Sequence, residues 1–302
     1  MKIAYVNTWG GFEEAFVDNP DSFVVTRILR ELFPKCDIQV GMNSSSDLVI
    51  SLYRPMVGSP SYADISNINC KKIAFTGESY DIVSTTPGCD AYIGFDQIQD
   101  MPNNALSLRF PLYALYHQDY LDKHGCTSFE ELREKFRKDK TQKISAVVSN
   151  PSNGLRTSLI QYLVQNGVCD SGGRVHNNVG ETEDKLEFTS KYIAAIAFEN
   201  LAKKSYITEK IYEAFVVNSV PIYWGAEDIE LEFNPKSYIL FDSANQEALN
   251  KSMQNILTLL SDYDRLHMMS SADPITGYRA EKYIRNGRQI FKNFVMKVMD
   301  KK

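Results

Sequence analysis

Residues 198–215 read FENLAKKSYITEKIYEAF: an apolar strand end, a stretch dense in hydrogen-bonding groups, then a helix. Asn200, Lys203, Lys204, Tyr206, Thr208, Glu209 and Lys210 crowd the middle stretch. A strand-to-helix turn needs one cap and at most a glycine. The surplus of donors, with a carboxylate among them, suits an anion that also carries hydroxyl groups. Thr208 is placed to cap the helix, and Glu209 suits a first turn where the dipole favours negative charge. Lys210 beside them does not, and a bound anion would account for it. Capping plus solvated charge explains Thr208 and Glu209 but not the whole set.

A second junction, VVSNPSNGLRTSL, turns through Asn150, Pro151, Asn153 and Gly154 into another helix. Arg156 falls in its first turn, again against the dipole. Alone it reads as well as a surface arginine beside an acidic neighbour. Together, an Arg and a Lys at the starts of two helices are suited to converge on a diphosphate. A carboxylate nearby would accept from sugar hydroxyls, and Tyr206 would stack on a base or bind a phosphate. A third junction, GESYD, places Glu78 after a glycine at a strand end. There it lies where ligands of parallel sheets bind, or merely caps the segment SYDIVS.

Those junctions need strands and helices to carry them. In the first half, KIAYVNTW, DLVISLY, KKIAFTG and DAYIGF read as strands, and SFVVTRILRELFP as a helix stopped at Pro34. Residues 128–140 read as a charged helix with Ser128 and Glu131 in a capping box, followed by TQK as a linker. The second half restarts with KISAVVSN, YIAAIAFEN and SVPIYWG as strands. LRTSLIQYLVQNG, TEKIYEAFVVN and QEALNKSMQNILTLLSD alternate with them as helices. Alternation of this kind implies parallel sheets, whose ligands bind beyond the carboxyl ends of the strands. A boundary near 140 divides the chain into residues 1–140, residues 141–280 and a basic helix over 281–302.

Composition excludes several classes. With 302 residues, 43% of them hydrophobic, and a formal net charge of −5, the chain is globular and not a nucleic-acid binder. Five cysteines, odd in number and without CxxC, make neither a disulfide framework nor a zinc site, and the four histidines lack metal-ligand spacing. No window approaches a membrane span, and the start MKIAYVNTWGG lacks a signal-peptide h-region, so a cytoplasmic protein is expected. From Ala280 onward seven Lys or Arg face two acidic residues, with Ile284, Phe291, Phe294, Val295 and Val298 at helical spacing. Such a helix either packs on the fold, the favoured reading, or touches an anionic inner-membrane surface. Asp262-Tyr-Asp264 has the form of a metal-binding Asp-x-Asp, but it follows a helical run and reads as a helix-end loop.

The stretch FENLAKKSYITEKIYEAFVVNSVPIYWGA resembles the donor-binding motif of the α-1,3-fucosyltransferases of glycosyltransferase family 10. Phe-Glu-Asn, a spacer, Tyr-Ile-Thr-Glu-Lys, a helix and Val-Pro-Ile before an aromatic and Gly follow in that order. IAFTGES, DAYIGFDQ with LRFPLYALYH, VVSNPSNGLR and DSGGRVHNN are similar to further elements of bacterial members. The resemblance runs over roughly residues 70–240. Leu201 departs from it, where many members have Ser, and a long heptad-repeat tail is missing.

The resemblance implies a GT-B fold, two Rossmann-like domains facing a central cleft. It implies GDP-L-fucose as donor, with Arg156 and Lys210 on the diphosphate and Tyr206 at the nucleotide-phosphate region. Glu209 would meet ribose or fucose hydroxyls, Asn200 and Asn150 would shape the pocket, and Glu78 would be the general base. Transfer from a β-linked donor to an α-fucoside inverts the anomeric centre, so one base and charge stabilisation of the leaving GDP suffice. No catalytic metal or other cofactor is expected, a divalent ion at most stimulating. Glu78 is expected to be partly buried. The expected acceptor is N-acetylglucosamine in a lactosamine-type oligosaccharide. Loops 7–20 and 53–64 would choose it, with Trp9 and Phe12 either stacking on a sugar or packing. Alternatives are another nucleotide sugar, glucose of lactose or an α-1,4 linkage, or a silent glycan-binding protein on the same scaffold.

Overall fold

A computed structural model describes residues 1–9, 11–42, 45–52, 63–96 and 101–301. The chain divides into two compact units, Met1–Asp119 with Asn286–Lys302, and Tyr120–Arg285. The first division therefore falls near 120, earlier than the boundary read at 140, and the end of the chain returns to the first unit.

The first unit holds a six-stranded sheet built from β1 (Lys2–Val6), β2 (Asp37–Val40), β3 (Leu48–Ser51), β4 (Lys71–Phe75), β5 (Ala91–Gly94) and β6 (Leu106–Arg109). Their order is β2-β1-β3-β4-β5-β6. The second unit holds β7 (Thr141–Ala146), β8 (Cys169–Ser171), β9 (Tyr192–Phe198), β10 (Val220–Trp224) and β11 (Ile239–Leu240), in the order β11-β10-β9-β7-β8. Every pairing is parallel. Helices on both faces bury parallel strands completely, so central strands are near-continuous apolar runs. All four residues of β3 and of β5 are buried, and the β9 segment YIAAIAF exposes only Ile196 in part. The second core gathers Ile144 and Ile222 from the sheet with Ile160, Leu163 and Ile256 from its helices.

The strands found in the sequence are the central ones. β2, β6, β8 and β11 were not read, and these are the four sheet edges. An edge strand has one neighbour and less cover, so it needs little apolar sequence: DIQV and LSLR contain no fully buried residue. The segment TQK is not a linker but the start of β7. The preceding helix is shorter than 128–140, spanning Phe129–Lys135. Ser128 Oγ accepts from Glu131 N at 3.1 Å, while Glu131 Oε2 accepts in return from Thr127 N at 2.7 Å.

The basic helix spans Arg279–Asp300 and uses its apolar face for packing. Phe291, Val295 and Val298 are buried, and Phe291 meets Phe110 and Phe75 at ring distances of 5.4 and 6.5 Å. Arg288 and Lys292 both pair with Glu31. No helix among the described residues is long and apolar enough to cross a membrane. Asp262 of the Asp-x-Asp sequence caps the helix Tyr263–Ser271, accepting from Arg265 N at 3.0 Å. All five cysteines are free thiols.

Candidate active site

In each sheet the first strand lies between the second and the third, so the connections leave it in opposite directions. That switch point opens a crevice at the carboxyl ends of the two central strands, where doubly wound proteins bind ligands. In the second unit it falls between β7 and β9, and the residues singled out above gather around it.

Asn153 begins the helix Gly154–Gln165, its Oδ1 accepting from Arg156 N at 3.0 Å. Its Nδ2 donates to Glu199 O at 3.0 Å, joining the loop after β7 to the end of β9. Arg156 makes the same crossing with its guanidinium. Nη1 donates to Phe198 O at 3.1 Å and to Asn200 Oδ1 at 3.0 Å, and Nη2 donates to Asn150 O at 2.8 Å. Arg156 is only 2% exposed, which rules out a surface arginine. Its Nε–H is buried with no acceptor among the described residues. Burial lowers its pKa from the ordinary arginine range, which Glu199 and Tyr206 oppose. Asn150 and Asn200 are exposed at the rim.

Glu199 follows the last residue of β9 and is fully buried. Its Oε1 accepts from Thr208 N at 2.7 Å, and its Oε2 accepts from Thr208 Oγ1 at 2.6 Å. Lys210 Nζ donates to that Oε2 at 3.3 Å, to Thr208 Oγ1 at 2.8 Å and to Glu209 Oε1 at 3.4 Å. Thr208 thus stands at the N-cap of the helix Glu209–Val216, but its side chain makes no cap bond: the hydroxyl proton goes to Glu199. A buried carboxylate outcompetes helix amides for that hydroxyl because a charge-assisted bond is the stronger one. Burial raises the Glu199 carboxyl, with Lys210 opposing. Burial also acts to raise Glu209, but Lys210 and Lys185 outweigh it and hold it below the usual range. Lys210 is raised despite burial, because Glu209 and Glu199 face it. Its side chain is 19% exposed, so it presents a cation at the mouth of the junction.

Two neighbours shape this corner. A Cβ on Gly225 would lie 2.6 Å from Glu199 Cγ and 2.6 Å from Tyr223 Oη, so the position after β10 is open to glycine alone. Asp228 takes Ser205 N at 2.6 Å and Ser205 Oγ at 2.9 Å, holding Ser205 at a left-handed φ of 61°. The loop that carries Lys203 and Lys204 is thereby tied to the end of β10. Tyr206 is 2% exposed, so its ring packs beneath the junction and does not lie open to a base.

Glu78 belongs to the first unit, three residues beyond the end of β4. Its N–H donates to Thr76 Oγ1 at 2.9 Å, and its side chain is exposed rather than partly buried. It does not cap the next helix: Asp81 does, accepting from Val83 N at 3.0 Å. That leaves the carboxylate at a strand end without the structural task the plainer reading assigned to it.

Glu199, Asn153 and Asp228 were missed as site residues. For Glu199 a signal existed, since a carboxylate directly after a seven-residue apolar strand must be buried or bound. Asn153 shows the spacing of a cap. Nothing local marks Asp228, whose partner lies 23 residues away.

Residues 137–271 match the profile of glycosyltransferase family 10 (fucosyltransferase), C-terminal part. Over 270 residues the chain is 28% identical to the α-(1,3)-fucosyltransferase FucT of Helicobacter pylori, covering 79% of this chain and 53% of that protein. The chain thus spans about half the length of that relative. A crystal structure of an α1,3-fucosyltransferase superposes with a TM-score of 0.75 at 23% identity, covering 100% of this chain and 90% of that one. A crystal structure of an α1,3-fucosyltransferase with GDP-fucose gives 0.69 at the same identity and coverage. The fold, two α/β units with parallel sheets, is of the GT-B class. Over residues 137–271 the chain is thus similar to the C-terminal part of glycosyltransferase family 10, the fucosyltransferases.

Proposed function

We propose that this protein transfers L-fucose from GDP-β-L-fucose, with inversion, to a hydroxyl of N-acetylglucosamine in a lactosamine-type glycan, forming an α-1,3 linkage. The observation that carries the reading is the union of Arg156, Glu199 and Lys210 at the β7/β9 switch point. A switch-point crevice with cationic side chains and a helix N-terminus suits a nucleotide diphosphate. The solved complex of a structurally similar fucosyltransferase with GDP-fucose supports the choice of donor.

In this reading Lys210 meets the diphosphate directly. Arg156 supplies positive potential from below and keeps the Asn150 and Asn200 loops in register. Glu209 accepts from sugar hydroxyls. Tyr206 acts from beneath, by supporting the loop. Glu78 takes the proton of the acceptor hydroxyl as that oxygen bonds to the anomeric carbon. The anomeric carbon–phosphate oxygen bond breaks with its electron pair leaving on GDP, where Lys210 and the helix amides offset the new charge. The chemistry calls for no metal, because cations of the chain meet the leaving group. Incubation with GDP-fucose and other nucleotide sugars, with lactosamine as acceptor, tests the reading. GDP release from GDP-fucose with an α-1,3 product by NMR supports it. Turnover of another donor, or binding without turnover, would sink it.

A further inference from the structure

The first sheet has its own switch point, between β1 and β3. Asn7, one residue past β1 and at a left-handed φ of 52°, closes its floor. Its Nδ2 donates to Ser51 Oγ and to Ala63 O, each at 3.1 Å, and its Oδ1 accepts from Ala63 N at 2.7 Å. The loop after β1 is therefore tied to the chain that follows β3. Trp9 rises from that loop and is 42% exposed, whereas Phe12 is 4% exposed and belongs to the core. The indole stands edge-to-face on Phe12 at 4.6 Å and on Phe23 at 5.7 Å. Phe12 is in turn wedged against Tyr5 and Phe16.

An exposed indole at a ligand-binding strand end, seated on the buried Phe12 and the half-buried Phe23, is fitted to a ligand with a flat apolar face. The C–H face of a pyranose is such a surface. Trp9 and Glu78 each lie three residues past their strand, on the same edge of the same sheet, with β3 between β1 and β4. Two strand spacings, roughly 10 Å, separate the strands that carry them. A disaccharide bridges that span, but a single sugar does not.

We propose that Trp9 is the stacking platform for a second sugar ring of the acceptor, next to the ring whose hydroxyl Glu78 deprotonates. The proposal rests on the transferase reading above. It makes the enzyme selective for acceptors of two or more sugars, through a contact remote from the chemistry.

The chain has two tryptophans, Trp9 and Trp224, which allows a test that needs no turnover. In the Trp224→Phe variant the emission comes from Trp9, and titration with N-acetyllactosamine should shift and quench it saturably. Kinetics supply the second arm. Trp9→Leu keeps apolar cover over Phe12 but has no aromatic face. It should raise the KM for the disaccharide at least tenfold, and leave the KM for GDP-fucose and its acceptor-free hydrolysis within twofold. Trp9→Tyr should restore most of the loss. With N-acetylglucosamine alone, wild type and Trp9→Leu should be alike. A disaccharide KM within twofold of wild type, or unchanged Trp9 emission at millimolar glycan, overturns the proposal. Failure of the wild type to use GDP-fucose overturns the transferase reading instead, and leaves the emission arm standing.

Discussion

Both oxygens of the Glu199 carboxylate close on one residue, Thr208: Oε1 on its amide at 2.7 Å and Oε2 on its hydroxyl at 2.6 Å. The end of β9 is thereby latched to the first turn of the helix that presents Glu209 and Lys210. A fully buried carboxylate is costly unless it is hydrogen-bonded and paired. Here two donors from Thr208 and the ammonium of Lys210 do both.

Replacing Glu199 with Ala should therefore cost about 3–5 kcal/mol, the range for breaking a buried charged pair. Urea unfolding gives the stability, and the KM for GDP-fucose should rise in parallel because Lys210 loses its guide. A loss below 1 kcal/mol would show that the latch is not needed.

Glu78→Gln makes the opposite pattern. The side chain is exposed, so the melting temperature should stay within about 1 °C, in the range of neutral surface substitutions. The kcat should fall by about 10²–10⁴, the usual worth of a general base, with GDP affinity unchanged. A kcat within tenfold of wild type removes Glu78 from the chemistry.

Lys210→Ala should weaken GDP by tenfold or more and guanosine hardly at all, by calorimetry. The contrast isolates the diphosphate as the partner of the ammonium. Equal losses for both ligands would mean a collapsed site, and no loss would mean that Lys210 serves only Glu199.

Gly225→Ala should destabilise by about 1–3 kcal/mol, as overpacking does, since its new methyl meets Glu199 and Tyr223. Chemical denaturation measures it. A neutral effect would show that Glu199 has room to move.

Lys140 offers a test by pH. Its ammonium donates to Ser190 O at 2.7 Å and Val217 O at 2.8 Å, and no carboxylate among the described residues pairs with it. Burial, with Arg133 adding, pushes its pKa down to about 8 from the ordinary 10.5. Between those values the unfolded chain binds more protons than the folded one, so stability rises with pH. Wild type should gain on Lys140→Met from pH 8 to 10, in paired urea titrations. A flat difference would place the folded pKa back in the usual lysine range.

Much of this was legible in order of locality. The apolar runs of β3, β4, β9 and β10 announce themselves, because strands covered on both faces are apolar throughout. The edge strands do not, and were found only by their partners. Arg156 and Lys210 stood out because each puts a cation in the first turn of a helix, against the dipole, and Asn150, Asn200 and Glu209 because polar groups crowd the same junctions. Tyr206 stood out equally, yet it is buried, because residue type does not reveal on which side of a loop a ring falls.

The sequence by itself determined the alternation of strand and helix, and with it the three junctions where polar groups gather. Those features are set by neighbours within a few residues: periodicity, caps and turn chemistry. Only the tertiary structure decided which junctions meet. Strand order sets β7 beside β9, and so brings Arg156 to Phe198 and Asn153 to Glu199 across more than forty residues of chain. It also decided that Phe12 is core while Trp9 is surface. Pairing order and burial arise from contacts between distant segments, which no local pattern encodes.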